Sequence, residues 1–195
     1  MQKIYVFIGV IGSGKDHMAK QIIKKTDAIK TAFADPLRED IWKLMDWRPY
    51  TDQEYEDFKV SVFHNDLGIK FTGRDLLLRY GTEIRRKEDL NHWAKQTMQE
   101  IERILQFAPA VVITDCRFGN EIEYLKYVAE KLDVELQFTF CNYHSDRYDC
   151  TVEHESEKLA QHFVRLGFQH QDKSFDEYIK VNEFAKIPTK HFELY

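Results

Sequence analysis

Five consecutive apolar residues, Ile4-Tyr5-Val6-Phe7-Ile8, open the chain and read as a buried strand. After the polar, glycine-bearing stretch Gly9 to His17, residues Met18, Ile22 and Ile23 recur at helical spacing, so a helix follows. Ile29 to Phe33 reads as a second short strand. Pro36 stands where a first-turn helix residue belongs. Helices are expected over about Leu37–Met45 and Asp52–Phe63, split at Trp47-Arg48-Pro49, with a loop across HNDLGIKFTG. Leu76, Leu77, Leu78 and Tyr80 predict a helix from Arg74 that stops near Gly81. Leu90, Trp93, Met98, Ile101, Ile104 and Leu105 predict the longest helix, Asp89 to Phe107.

The second strong apolar run, Ala110 to Thr114, ends on Asp115. Beyond it come a helix over Asn120–Leu132, a strand over Leu136–Phe140, a polar stretch, a helix over Glu155–Leu166 and a last strand over Tyr178–Val181. Strands alternating with helices imply a parallel sheet covered on both faces. The expectation is one domain of a three-layer α/β/α fold with five parallel strands. Its core is 1–35 and 108–195, a helical acceptor-binding insert spans about 36–107, and a lid spans about 142–157.

Composition narrows the classes without changing this picture. A net charge of −5 argues against a nucleic-acid coat or a membrane-surface protein, both of which want basic excess. No apolar run approaches a membrane span, and a core strand starting at Ile4 leaves no room for a signal peptide. Cys116, Cys141 and Cys150 are an odd, sparse set, which suits a reducing compartment rather than a disulfide framework. A cytoplasmic protein acting on small molecules is expected, and a homodimer is left open.

The chemistry starts at Gly9-Val-Ile-Gly-Ser-Gly-Lys-Asp-His17, a Gly-x4-Gly-Lys phosphate-binding loop between a strand and a helix. Its glycines let backbone N–H groups converge on phosphate oxygens, and the helix N-terminus adds partial positive charge. Ile11, Gly12, Ser13, Gly14, Lys15, Asp16 and His17 are therefore the expected ATP contacts, with Lys15 bridging the terminal phosphates. Asp16 replaces the usual Ser or Thr. A carboxylate beside a triphosphate repels it unless a metal lies between, so Asp16 is expected to hold magnesium; a plain first-turn helix acid is the bland alternative. In open α/β sheets, ligands gather at the C-terminal strand ends, where Asp35, Arg38, Asp115 and Arg117 also fall. Asp115 suits a magnesium-steadying acid, or merely a helix cap.

Arg74, Arg79, Arg85 and Arg86 offer forks for a phosphate monoester, although for any single one of them a solvated helix face is the better reading; Arg74 is the exception expected to act. Trp93 is either core or a wall for a base, and periodicity favours core. Cys141, His144, Cys150 and His154 have a loose zinc spacing, and a lid carrying Arg147 to the transferring group fits this stretch better.

Taken in order, Gly-Ser-Gly-Lys-Asp (12–16), Phe-Ala-Asp-Pro-Leu (33–37), Thr-Gly-Arg-Asp-Leu-Leu with Tyr-Gly-Thr-Glu (72–83), Trp93, Thr-Asp-Cys-Arg-Phe-Gly-Asn-Glu (114–121) and His-Glu-Ser-Glu (154–157) span about four-fifths of the chain. This set resembles the deoxynucleoside monophosphate kinases of tailed phages. The resemblance implies an adenylate-kinase-like fold and γ-phosphate transfer from ATP, with Mg2+, to a deoxynucleoside 5′-monophosphate, in the cytoplasm of an infected host. It further implies that Arg38, Arg74, Gly81, Thr82, Trp93, Asp115, Arg117 and Glu121 surround the acceptor. His17 stands where the family has Thr, Gly119 where it more usually has Pro, and the chain is short for the family. Three other readings stay open: a kinase of a hydroxymethylated base in phage DNA, a phosphomevalonate-kinase type, and a nucleotide-binding regulator without turnover.

Overall fold

The computed structural model describes residues 1–10, 12–141 and 158. The elements run β1 (Lys3–Ile8), α1 (Lys15–Thr26), β2 (Ile29–Thr31), α2 (Ala34–Met45), α3 (Asp52–Val60), β3 (Val62–His64) and β4 (Lys70–Thr72). There follow α4 (Gly73–Leu78), a π-helix (Arg79–Arg85), α5 (Arg86–Glu88), α6 (His92–Leu105), β5 (Ala110–Ile113), α7 (Gly119–Leu132) and β6 (Glu135–Phe140). They group into two compact units, Ala34–Gln96 and the rest, namely Met1–Phe33 with the described part of Thr97–Tyr195.

In the second of these, β1, β2, β5 and β6 form a parallel sheet in the order β2-β5-β1-β6. It is the expected parallel α/β sheet, with four strands among the described residues. The fifth expected strand, Tyr178–Val181, lies outside them, as do the Glu155–Leu166 helix (Lys158 apart) and the lid. β1 is central because it is apolar on both faces: Ile4, Val6, Phe7 and Ile8 are wholly buried. Tyr5, Phe7 and Val112 pack with Ala19 and Ile22 of α1, and with Cys141. Each buried Ile or Phe side chain contributes about 1.5–3 kcal/mol. The chain leaves β1 for β2 on one side and finally crosses to β6 on the other. The topological switch therefore falls at the end of β1, where the glycine-rich loop begins.

The Ala34–Gln96 unit is built on Ile41, Trp42 and Phe58, with Leu37, Met45, Tyr55, Phe63, Leu76, Leu77 and Tyr80 around them. Here the structure corrects the sequence reading twice. The helix expected to reach Phe63 ends at Val60, because Ser61 is extended (φ −62°, ψ 138°) and Val62–His64 pair antiparallel with Lys70–Thr72. Phe63 and Phe71 stack across the pair with centroids 5.8 Å apart. Asn65 closes the turn, its side chain accepting the N–H groups of Leu67 (3.0 Å) and Ile69 (2.9 Å). Nor does Gly81 stop a helix: the chain winds through it in π form to Arg85.

α6 also starts later than expected. Asp89 accepts the N–H of Asn91 (2.9 Å) and pairs with Lys95 (2.6 Å), so the residues before His92 form a capping turn. Among the described residues, no helix is long and apolar enough to cross a membrane.

Candidate functional site

β1 delivers the chain into a loop that only glycine can shape at two points: Gly12 (φ 76°) and Gly14 (φ 81°) are both left-handed. Between them Ser13 is buried, and its N–H donates to the Val10 carbonyl at 3.2 Å. Gly14 caps α1 without a side-chain cap hydrogen bond, and a helix N-terminus of this kind suits an anion such as phosphate. Lys15 is 8 % exposed, and its ammonium reaches across the loop to the Val10 carbonyl (2.5 Å) and the Ser13 hydroxyl (3.4 Å). The cation is thus held against the loop itself, on the Val10 carbonyl and the Ser13 hydroxyl. Ile11 lies outside the described residues, and His17 is exposed on α1.

Asp16 points to the neighbouring strands. Its carboxylate pairs with the Lys30 ammonium on β2 at 2.7 Å. Burial raises its pKa, but Lys30, Lys15 and the Thr114 hydroxyl outweigh this and hold the carboxyl below its ordinary value. Asp16 is therefore ionised at neutral pH.

Asp115 follows Thr114, and its Oδ1 accepts the backbone N–H of Phe33 at 2.8 Å, joining the ends of β5 and β2. The next turn is fixed by Glu121. Only 2 % exposed, it accepts the N–H groups of Arg117 (2.8 Å) and Phe118 (3.1 Å) at the start of α7. Glu121 thus positions the backbone that carries Arg117.

Magnesium asks for hard oxygen donors and keeps several waters and phosphate oxygens as ligands. The Asp16 carboxylate, the Thr114 hydroxyl and the Asp115 carboxylate are of that type. No group of three or more His, Cys, Asp or Glu suited to a metal occurs among the described residues. The Asp16, Thr114 and Asp115 oxygens are of the kind that would suit a magnesium sharing its shell with phosphate and water. Cys141 packs against Met18 (Sγ–Sδ 3.4 Å), and burial pushes its thiol up to about 12 although Lys15 pulls it down. The other three residues of the loose zinc spacing, His144, Cys150 and His154, lie outside the described residues, as does Arg147.

The Ala34–Gln96 unit holds the remaining expected residues. In the first turn of α2, Asp35 pairs with Arg38 at 2.6 Å, and the Arg38 guanidinium also donates to the Tyr55 hydroxyl (3.2 Å) while lying 5.1 Å from the centre of that ring. Arg74 is exposed in the first turn of α4, where Thr72 and Asp75 form a reciprocal cap. Gly81 and Thr82 lie in the π-helix. Trp93 is 3 % exposed and its indole N–H donates to the Gly81 carbonyl at 3.0 Å, which is its core role. Of the residues expected around the acceptor, this π-helix carries Gly81 and Thr82.

Two site residues escaped the sequence reading, Lys30 and Thr114. The only available signals were a charged residue in a three-residue strand and a hydroxyl just before Asp115.

These features define a phosphate-binding-loop α/β protein. No protein-family model and no curated protein matches the chain. Solved structures similar to it include the Pnkp1/Rnl/Hen1 RNA repair complex (11 % identity, TM-score 0.40), which the match covers over 95 % of this chain and 45 % of that one. This chain therefore spans under half the length of that relative. A gluconokinase from Sinorhizobium meliloti 1021 is similar over 100 % of this chain and 98 % of its own (17 % identity, TM-score 0.38). A sugar kinase from Janibacter sp. HTCC2649 is similar over 97 % of each (13 % identity, TM-score 0.40). Likeness at this level identifies neither substrate nor reaction.

Proposed function

We propose that the chain is an ATP-dependent phosphotransferase whose acceptor is a deoxynucleoside 5′-monophosphate. The observation that carries the reading is the Lys15 ammonium seated over a left-handed glycine loop at the switch point of a parallel sheet. Such a loop binds the phosphates of a nucleotide through backbone N–H groups, and Lys15 bridges the terminal ones. Asp16 and Asp115, with Thr114 beside them, would hold magnesium, which when bound neutralises phosphate charge.

The acceptor half rests on the motif resemblance. The resemblance assigns Arg74 and Arg117 each to the monophosphate; Asp35 pairs with Arg38, and Glu121 sets the Arg117 turn. Trp93 secures the Gly81 carbonyl, and Arg147, outside the described residues, is the expected partner of the transferring group. A monophosphate dianion is already a nucleophile, so no general base is required. Positioning and charge stabilisation supply the rate.

The test is ADP release from ATP and magnesium across ribo- and deoxynucleoside monophosphates, hydroxymethylated pyrimidines included, with duplex DNA and phosphomevalonate as separate arms. Turnover confined to deoxynucleoside monophosphates is expected. Turnover only on DNA or on phosphomevalonate replaces the acceptor assignment, and ATP binding with no turnover on any arm replaces the enzyme with a binding protein.

A further inference from the structure

We infer that Lys30 sets how strongly nucleotide binding at the glycine-rich loop depends on magnesium, by acting as a tethered cation for Asp16. The inference rests on the nucleotide reading of that loop and concerns a residue outside the loop itself.

Asp16 places a full negative charge in the first turn of α1, beside the N–H groups and the lysine that a phosphate needs. Unopposed, it repels any nucleotide that arrives without a divalent cation. The protein supplies a cation of its own: Lys30 on β2, 2.7 Å from the carboxylate. The position is built into the sheet. β2 pairs with β5 so that Lys30 faces Val112 and Thr31 faces Ile113, which brings Lys30 alongside the strand end that carries Thr114. Asp16 is thus held by a cation that the neighbouring strand delivers.

The pair is also easy to open. The two side chains are 45 % and 67 % exposed, and a lysine ammonium on its four-carbon stem swings into water at little cost. Two consequences follow. Metal-free nucleotide is tolerated because Lys30 offsets Asp16. Magnesium, in contrast, has to displace Lys30 from the same carboxylate. Removing the Lys30 charge therefore weakens metal-free binding and leaves metal-loaded binding unchanged or tighter.

The experiment is calorimetric titration of the full chain with ADP, once with magnesium and once with EDTA. It compares wild type, Lys30→Met, Lys30→Arg, Asp16→Asn and the double variant Asp16→Asn/Lys30→Met. Lys30→Met is expected to widen the ratio of the two affinities by roughly three- to fivefold, the upper part of the range for an exposed charge pair, with the loss in the EDTA arm. Lys30→Arg should keep the ratio within about twofold of wild type, because the charge remains. In the Asp16→Asn background, Lys30→Met should have no effect on the ratio. Equal changes in both arms, no change in either, or a persistent effect in the Asp16→Asn background overturns the inference while leaving the nucleotide reading intact. Absence of ADP binding by wild type in both arms overturns the two together.

Discussion

Glu121 accepts the backbone N–H of Arg117 at 2.8 Å, so a buried acid in the first turn of α7 fixes the approach of an arginine four residues earlier. The same carboxylate takes the Phe118 N–H, and at 2 % exposure water cannot replace it. Glu121→Ala leaves two N–H groups without this acceptor. It is expected to cost about 2–3 kcal/mol, or roughly 4–12 °C in Tm for a domain of this size. Glu121→Gln keeps an acceptor oxygen and should recover part of the loss. Thermal denaturation of both variants decides it: a Glu121→Ala protein melting with wild type would show that the clamp carries no stability.

Gly9 and Gly81 look alike in sequence and differ in what surrounds them. A Cβ on Gly9 would come within 2.5 Å of the Cys141 carbonyl oxygen and 2.5 Å of the Ser13 hydroxyl. The first of these is backbone and cannot step aside. Gly9→Ala should therefore cost about 1–3 kcal/mol and distort the loop that holds Lys15, weakening ADP binding at least tenfold. On Gly81 the nearest atom is the end of the Leu37 side chain, at 2.9 Å, which can rotate. Gly81→Ala also gains up to about 1 kcal/mol of helix propensity, so its net effect should lie within about 1 kcal/mol of zero. Urea denaturation of the two variants side by side tests the contrast. Similar costs for both would refute it.

Lys15 separates chemistry from folding. Its ammonium is bonded to loop atoms, Val10 and Ser13, and Lys15→Met keeps most of the apolar stem. The variant should fold with a near-UV spectrum like that of wild type and lose at least about a hundredfold in turnover, the scale of removing one preorganised donor from developing charge. Undiminished ADP release by Lys15→Met would sink the phosphotransferase assignment.

The sheet was legible in the sequence, because a strand buried on both faces must read as an unbroken apolar run, and β1 and β5 do. The loop was legible for a different reason: its function constrains backbone, and backbone constraint shows as glycine. What escaped detection was tertiary. Val62–His64 continues an apparent helix pattern and becomes a strand only because Lys70–Thr72 returns to pair with it through the Asn65 turn. Gly81 reads as a stop, yet the Trp93 indole reaches its carbonyl from α6 and the chain continues in π form. Lys30 matters only through Asp16, and no local pattern records that two residues fourteen apart in the chain form one ion pair.

Asp75 gives the unit that carries Arg74 an acid-sensitive cap. Its carboxylate accepts the backbone N–H and the hydroxyl of Thr72, both at 2.8 Å, and the Thr72 hydroxyl accepts the Asp75 N–H at 3.1 Å. The Thr72 backbone N–H, then its hydroxyl, hold the Asp75 carboxyl below its ordinary value, with slight desolvation opposing and Arg79 assisting. A carboxyl whose folded pKa is depressed stabilises fully above its unfolded pKa, near 3.9, and that contribution is lost as pH falls through the lower folded value. Asp75→Asn should therefore be less stable than wild type at neutral pH, and the gap should begin to narrow below about pH 4 and close only once pH has passed the lower folded value, where the folded wild type also loses its charge. Urea midpoints of the two proteins between neutral pH and about pH 3 measure this. A gap that stays constant through the acid range would mean that Asp75 acts through shape alone and that its charge contributes nothing to the cap.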